Sequence, residues 1–195
     1  MNPLLELLHN RNSYPASQLN DPAPDDMQLR EILRCGISAP DHGMLRPWRF
    51  IVIRGEARHA LADAFVAAEK VRDPLVSAQK LDRIREKPLR SPLILVIVAT
   101  LTPNHPKVPE IEQMLSAGAA AQLIQLGAVA AGFGSIWLTG PSAYAKEVKD
   151  ALGIDPKDQI AGFVYVGTPP DQRPARRRAD LEDHVSEWNG PKHHR

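Results

Sequence analysis

Leu93-Ile-Leu-Val-Ile-Val-Ala-Thr100 decides the fold of this chain. The residues before Thr100 are all apolar, and Ile94, Val96, Ile97 and Val98 are β-branched. A strand with one wet face would alternate apolar and polar residues. An unbroken run fits a central strand buried on both faces. Such a strand needs a layer of other elements on each side, and the flanking sequence supplies helices. Upstream, Trp48 to Ile53 (WRFIVI) predicts a second strand with a turn at Arg54-Gly55-Glu56, and Glu56 to Glu69 an amphipathic helix. Lys70 to Arg90 reads as a charged helical region interrupted at Pro74 and closed by Pro88. Downstream, a long Ala/Gln/Gly helix runs to about Ala131, Gly132-Phe133-Gly134 breaks it, and Ser135 to Thr139 reads as a strand. A short helix over Ala143 to Leu152 ends at Gly153, and Ile160 to Val166 is the last core strand. Near the start, Pro3 to Asn10 carries a leucine stripe at helical spacing. Asp25 or Asp26 caps a helix that stops before Pro40. Helices and strands alternate irregularly around a few buried strands, which describes a three-layer α/β or α+β arrangement in one domain.

The bulk properties narrow the function. The chain has 195 residues, 43% of them hydrophobic and 24% charged, enough for one core and short for two. A net charge of +1 argues against a dedicated nucleic-acid binder, and Arg176-Arg177-Arg178 neutralise too few phosphates to make one. Cys35 is the single cysteine, so no disulfide closes within the chain and nothing points to an oxidising compartment. The N-terminus lacks the basic and apolar regions of a secretory signal, and a cytoplasmic location is expected. No charged residue occurs from Gln113 to Ala145. Its length would permit a membrane span, but Gln113, Gln122, Gln125, Ser116 and several glycines interrupt it. A helix buried on nearly all sides is the better reading, with a subunit interface as a natural place for the burial.

Several familiar chemistries fail for want of residues. There is no GxxxxGK[ST], and Gly132-x-Gly134 leads to Trp137 and a strand rather than to a third glycine and a helix. No GxSxG elbow, CxxC or HExxH occurs, and Asp41-His42 lacks partners for a metal.

Three stretches remain. Arg11-Asn12-Ser13 sits just past a helix end; its arginine suits either a phosphate or a capping role at the helix C-terminus. Ser38 to Phe50 is a polar loop carrying Asp41, His42 and Gly43 that runs through Pro47 into a strand, with Arg49 placed to pair a carboxylate. Gly134 to Gly140 (GSIWLTG) is an uncharged strand bracketed by glycines, fit either for close approach to something flat or for simple burial.

In this order the pieces resemble the nitroreductase family, most of all its small YdjA-like branch of NAD(P)H nitroreductases. The likeness covers roughly Leu4 to Pro169. It rests on NRNS at 10–13, APDHGMLRPWRF at 39–50, SPLILVIVA at 91–99, KVPEIEQMLSAGAAAQ at 107–122, GFGSIWLTG at 132–140 and GFVYVGTP at 162–169. The resemblance implies an α+β three-layer fold, with a central mixed β-sheet flanked by helices, in an intertwined homodimer. It implies one domain over 1–195 whose tail, 170–195, wraps the partner, and FMN held between subunits with NADH or NADPH as donor. Arg11 and Ser13 match positions holding the FMN phosphate and ribityl chain, and Asn12 stands where many members have arginine or histidine. Ser38 and His42 match positions reaching the same flavin from the other subunit. Trp137, Leu138 and Thr139 match the segment along the flavin ring, and Arg178, Arg176 or Arg177 would complete the phosphate site. The implied activity is hydride transfer to and from flavin N5, reducing nitroaromatics, quinones or similar acceptors, with no catalytic side chain, metal, nucleic acid or membrane required. The alternatives on the same fold are a carrier or sensor without efficient turnover, and a different flavin reaction such as dehalogenation or enal reduction.

Overall fold

A computed structural model of the chain describes residues 2–170 and 178–190. Four strands form one sheet: β1 (Trp48–Arg54), β2 (Leu93–Ala99), β3 (Gly134–Leu138) and β4 (Gln159–Gly167), in the order β1-β2-β4-β3. The helices are α1 (Pro3–Asn10), α2 (Asp26–Ile37), α3 (Ala57–Arg72), α4 (Ala78–Arg85), α5 (Glu110–Ala130) and α6 (Lys146–Ala151).

The Leu93–Ala99 run is buried at every position, as its composition requires. Its alternate residues serve different layers. Ile94, Val96 and Val98 pack with Leu61 and Phe65 of α3 and Val148 of α6. Leu93, Leu95, Ile97 and Ala99 pack with Leu29 and Ile32 of α2 and with Ala117, Ala121 and Ile124 of α5. On the first face Phe65 meets Phe163 edge-on, with ring centroids 5.2 Å apart. At these burials each large aliphatic side chain contributes about 1.5–3 kcal/mol.

Local signals set the helix ends. Asp25 caps α2 in a reciprocal box, accepting from Gln28 N while the Gln28 side chain accepts from Asp25 N. Ser77 caps α4 through Lys80 N. The helix expected over 143–152 is divided into a 3₁₀ turn at Pro141–Tyr144 and α6, with Ala145 extended between them.

The sheet is antiparallel at every described pairing, not mixed. The connections explain the difference. Two helices, α3 and α4, join β1 to β2 and bring the chain back antiparallel. The single helix α5 makes β2 and β3 run the same way, but β4 lies between them and pairs antiparallel with both. The α5 helix also departs from burial on all sides. Its sheet-facing residues are buried, while Ile111, Leu115 and Gln122 are exposed. No helix among the described residues is long and apolar enough to cross a membrane.

Candidate functional site

A strap formed by residues 11–20 fixes the site. Tyr14 N donates to Ser135 O of β3, and Asn20 and Thr168 exchange backbone hydrogen bonds of 2.8 Å at the end of β4. The strap therefore follows the β3–β4 edge and holds Arg11 and Ser13 at a set distance from Trp137 and Leu138. Arg11 is the C-cap of α1, and its Nη1 donates to Ser13 Oγ at 3.2 Å. Asn12 is buried and its amide donates back to Asn10 O, so it shapes the turn. Arg178 reaches this turn from the tail, donating to the carbonyls of His9 (3.2 Å) and Arg11. Burial, and then the charge of Arg178, lower the pKa of Arg11. Among the described residues no carboxylate pairs with either guanidinium. Two cations held together in this way form a local demand for an anion. Arg176 and Arg177 lie outside the described residues.

Midway along the strap, Ala16 walls a cavity of about 380 Å³. Leu138, Thr139 and Gly140 line its mouth, Phe65, Phe163 and Tyr165 its apolar floor, and Lys87 and Arg90 its cationic side. Gly140, at φ +73°, turns the chain out of β3 into Pro141. Burial pushes the Tyr165 phenol up to about 12, with Arg90 acting weakly in the opposite direction, so it stays protonated as a cavity wall. Lys87, Arg90 and Tyr165 were not singled out in the sequence. The only signal was the position of the first two, on the charged segment that Pro88 closes just before the buried strand.

Trp137 lies between layers. Its Nε1 donates to Ala161 O at 3.1 Å. The β2–β4 register slips between Ile97 and Val98, which leaves Ala161 without a strand partner and its carbonyl available. Gly162 makes room for the indole: a Cβ there would lie 2.0 Å from Trp137 Nε1.

Ser38 and His42 stand apart from this group. Ser38 is the C-cap of α2, and its Oγ donates to Cys35 O at 2.7 Å. His42 Nδ1 meets Glu112 Oε2 at 2.6 Å at the start of α5, leaving Nε2 for another partner. Asp41 turns the other way and accepts from Arg46 N, so the adjacent pair does not converge. Arg49 donates to the Gly153 carbonyl at 3.1 Å, not to a carboxylate.

The model of the Nitroreductase family matches residues 16–168, most of the chain. The chain belongs to the nitroreductase family. Its strap, its 138–140 turn and the cavity between them all fall within or beside the matched span. YdjA of Escherichia coli (strain K12), which carries a provisional name as an NAD(P)H nitroreductase, is 44% identical over 169 residues, covering 85% of this chain and 87% of YdjA. A nitroreductase-like family protein from Bacillus cereus superposes with a TM-score of 0.82 at 22% identity, over 96% of both chains. A provisionally named nitroreductase from Desulfovibrio desulfuricans, solved in complex with FMN, superposes with a TM-score of 0.71 at 25% identity, over 98% of this chain and 99% of that one.

Proposed function

We propose that this nitroreductase-family chain is an FMN-dependent oxidoreductase. It takes reducing equivalents from NADH or NADPH and delivers them to nitroaromatics, quinones or similar electron-poor acceptors, and it works as a homodimer. The observation that carries this reading is the Arg11–Arg178 pair at one end of a strap whose middle walls a mostly apolar cavity. A phosphate monoester carries about −1.5 to −2 charges near neutrality, which matches two uncompensated guanidiniums. An aromatic ring system with a polar edge suits a cavity with phenyl walls, the Leu138–Gly140 segment at its mouth, and two cations on one side. The residues present therefore fit FMN, the molecule bound in the D. desulfuricans relative. Bound FMN supplies hydride acceptance and donation at its N5 atom; the protein supplies binding, orientation and electrostatics. Arg11, Ser13 and Arg178 hold the phosphate end, with Asn12 keeping their turn in shape. Trp137, Leu138 and Thr139 line the ring, and Lys87 and Arg90 set positive charge at its polar edge.

The dimer follows from what one copy leaves undone. Ser38 caps α2 and His42 pairs with Glu112, and neither joins the Arg11–Ser13 turn or the lining of the cavity at Leu138–Gly140. On this reading Ser38 and His42 serve the flavin of a second copy. Leu4, Leu5 and Leu8 of α1 are exposed, as are Ile111 and Leu115 of α5, and α1 buries nothing within its own chain. Leu181, Val185 and Trp188 of the tail are exposed as well, which suits a segment that wraps a partner.

The test follows mass and flavin absorbance together in the wild type and in Gln122→Arg, which puts a charge on the exposed side of α5. The wild type should be a dimer with one FMN per chain that turns over NADPH or NADH with nitroaromatics or quinones. The variant should lose mass and flavin together. A monomer that keeps FMN would refute the shared site, and tight FMN without donor oxidation would favour a carrier.

A further inference from the structure

The cavity walled by Ala16 is continued by a smaller one. This second cavity, of about 180 Å³, shares Lys87, Pro141 and Ser142 with the first. Glu69, Arg72, Lys80, Arg83 and Ile84 complete its lining. Ile84 and Pro88 are buried, so the segment that runs from α4 into the 3₁₀ turn Lys87–Arg90 is anchored by its apolar side. Arg83 and Lys87, four residues apart, stay exposed at the opening.

The charges of the smaller cavity sort into two groups. Arg72 and Lys80 are neutralised. Glu69 accepts from Arg72 Nη2 at 2.6 Å and from Lys80 Nζ at 2.8 Å, and Asp73 meets Lys80 at 3.3 Å, so two carboxylates answer two cations. Arg83 and Lys87 have no such partner, because no carboxylate among the described residues pairs with either. Asp82 and Glu86 beside them in sequence do not line the cavity, and Arg85 is paired with Asp63. The next hollow past Pro141 and Ser142 has the opposite balance: Glu69 and Glu147 line it, with Arg72 as its cation. Arg11 and Arg178 belong to the turn that begins the strap and line neither cavity. Next to the ring cavity, the uncompensated positive charge therefore sits at one junction, on Arg83 and Lys87.

We propose that Arg83 and Lys87 form an anion-binding subsite for the electron acceptor, and that the preferred acceptors are nitroaromatics or quinones carrying a carboxylate or sulfonate. This assignment rests on the FMN reading above and names the acceptor class for that site. The acceptor ring enters the apolar cavity beside Leu138–Gly140, and its anionic substituent reaches past Ser142 to the two cations. Arg83 offers a planar fork that matches two oxygens of a carboxylate or sulfonate. An ammonium has three donors, so Lys87 serves the polar edge of the ring cavity and the substituent together. The Ser142 hydroxyl adds a further donor at the junction. A neutral acceptor leaves both cations to water, so recognition takes the form of preference and not exclusion. The chemistry is the same for either: NAD(P)H supplies two electrons and a proton as hydride, water supplies the second proton, and a quinone leaves as the hydroquinone.

The experiment uses the FMN-loaded protein without nucleotide, so donor binding plays no part in the result. Benzenesulfonate and benzenesulfonamide are alike in shape, and flavin reduces neither. Each is titrated into the oxidised protein, and Kd is read from the change in flavin absorbance. The anion should bind about tenfold more tightly, with the ratio shrinking as salt rises. Arg83→Ala should weaken benzenesulfonate binding about fivefold, and Arg83→Lys should restore most of it. Arg83→Glu should bring the two ligands to equal affinity or reverse their order. Benzenesulfonamide should move less than about twofold in all three variants. Stopped flow then mixes photoreduced protein with 1,4-naphthoquinone-2-sulfonate or with menadione. The half-saturating concentration of the sulfonate alone should rise in Arg83→Ala; comparing each variant with wild type cancels the different reactivities of the two quinones. Arg83 is exposed and unpaired, so its variants should fold, and a thermal melt of each checks that. Equal affinity for the two sulfur compounds in the wild type, or a preference for the anion that Arg83→Ala and Arg83→Glu leave intact, would overturn the subsite and leave the FMN reading standing. A protein that binds no FMN would overturn both.

Discussion

Replacing Gly162 by alanine tests whether the site depends on the contact between β4 and the Trp137 indole. The added Cβ would sit 2.0 Å from Trp137 Nε1, 2.5 Å from Cδ1 and 2.9 Å from Leu138 O. Neither the strand backbone nor a ring packed between the sheet and α5 can yield that much without moving. Overpacking of this kind costs about 1–3 kcal/mol. Displacing the indole also breaks the 3.1 Å bond from Nε1 to Ala161 O, which is worth about 1 kcal/mol. The sum is roughly 2–4 kcal/mol, and at about 2–4 °C per kcal/mol for a domain of this size Tm should fall by roughly 5–15 °C. Because Trp137 and Leu138 line the proposed flavin ring site, FMN content should fall as well. The assay is a thermal melt of the FMN-loaded protein, with the flavin-to-protein absorbance ratio read before heating. Repeating it in a Trp137→Ala background closes a double-mutant cycle. The alanine should cost far less there, because the ring it strikes is gone. A Gly162→Ala protein that melts within about 2 °C of wild type, or that loses the same stability with and without the indole, would refute the reasoning.

Removal of Arg11 or Arg178 should weaken FMN binding by roughly 10–100-fold each, read by fluorescence titration of the apoprotein, because each deletes a charge-assisted phosphate contact. Leu115→Asp, on the uncovered side of α5, should shift the protein toward monomer in light scattering and release flavin with it. Glu69 should give a pH signature in thermal melts. Hydrogen bonds from Arg72, then Lys80, lower its pKa, so its contribution is fully present above the ordinary glutamate range and is lost as pH falls through the depressed value. Glu69→Gln should therefore be less stable than wild type near pH 7, with the gap closing in strong acid. Tyr165 acts in the opposite direction. Its raised value means that stability present below about 10 is lost as pH rises toward about 12, and Tyr165→Phe should remove that alkaline loss from the melting profile.

Much of the fold was legible because its signals are local. The Leu93–Thr100 run specified a strand with two buried faces, the Asp25-Asp26 pair specified where α2 starts, with Asp25 proving to be the cap, and the leucine spacing of 3–10 specified α1. The sheet order was not legible. That β4 inserts between β2 and β3 depends on a pairing that no local pattern encodes, and so a mixed sheet was expected where an antiparallel one is found. Arg49 was misplaced for the same reason: the Gly153 carbonyl it meets is distant in sequence. For the site, Arg11, Ser13 and the 137–139 segment stood out through their setting between a helix end and glycine turns. Arg178 is brought to Arg11 by a contact spanning 167 residues, which spacing rules do not reach. Lys87 and Arg90 were lost in a charged run whose periodicity fits a solvated face as well as a cavity wall. Tyr165 was hidden inside an apolar strand.

The measurement to make first is the visible spectrum of the freshly purified protein, followed by anaerobic addition of NADPH or NADH in the same cuvette. The expected result is a flavin spectrum that bleaches on addition of nucleotide and returns when a nitroaromatic or quinone is admitted. Failure to acquire any flavin spectrum, even after reconstitution with FMN, would contradict the account.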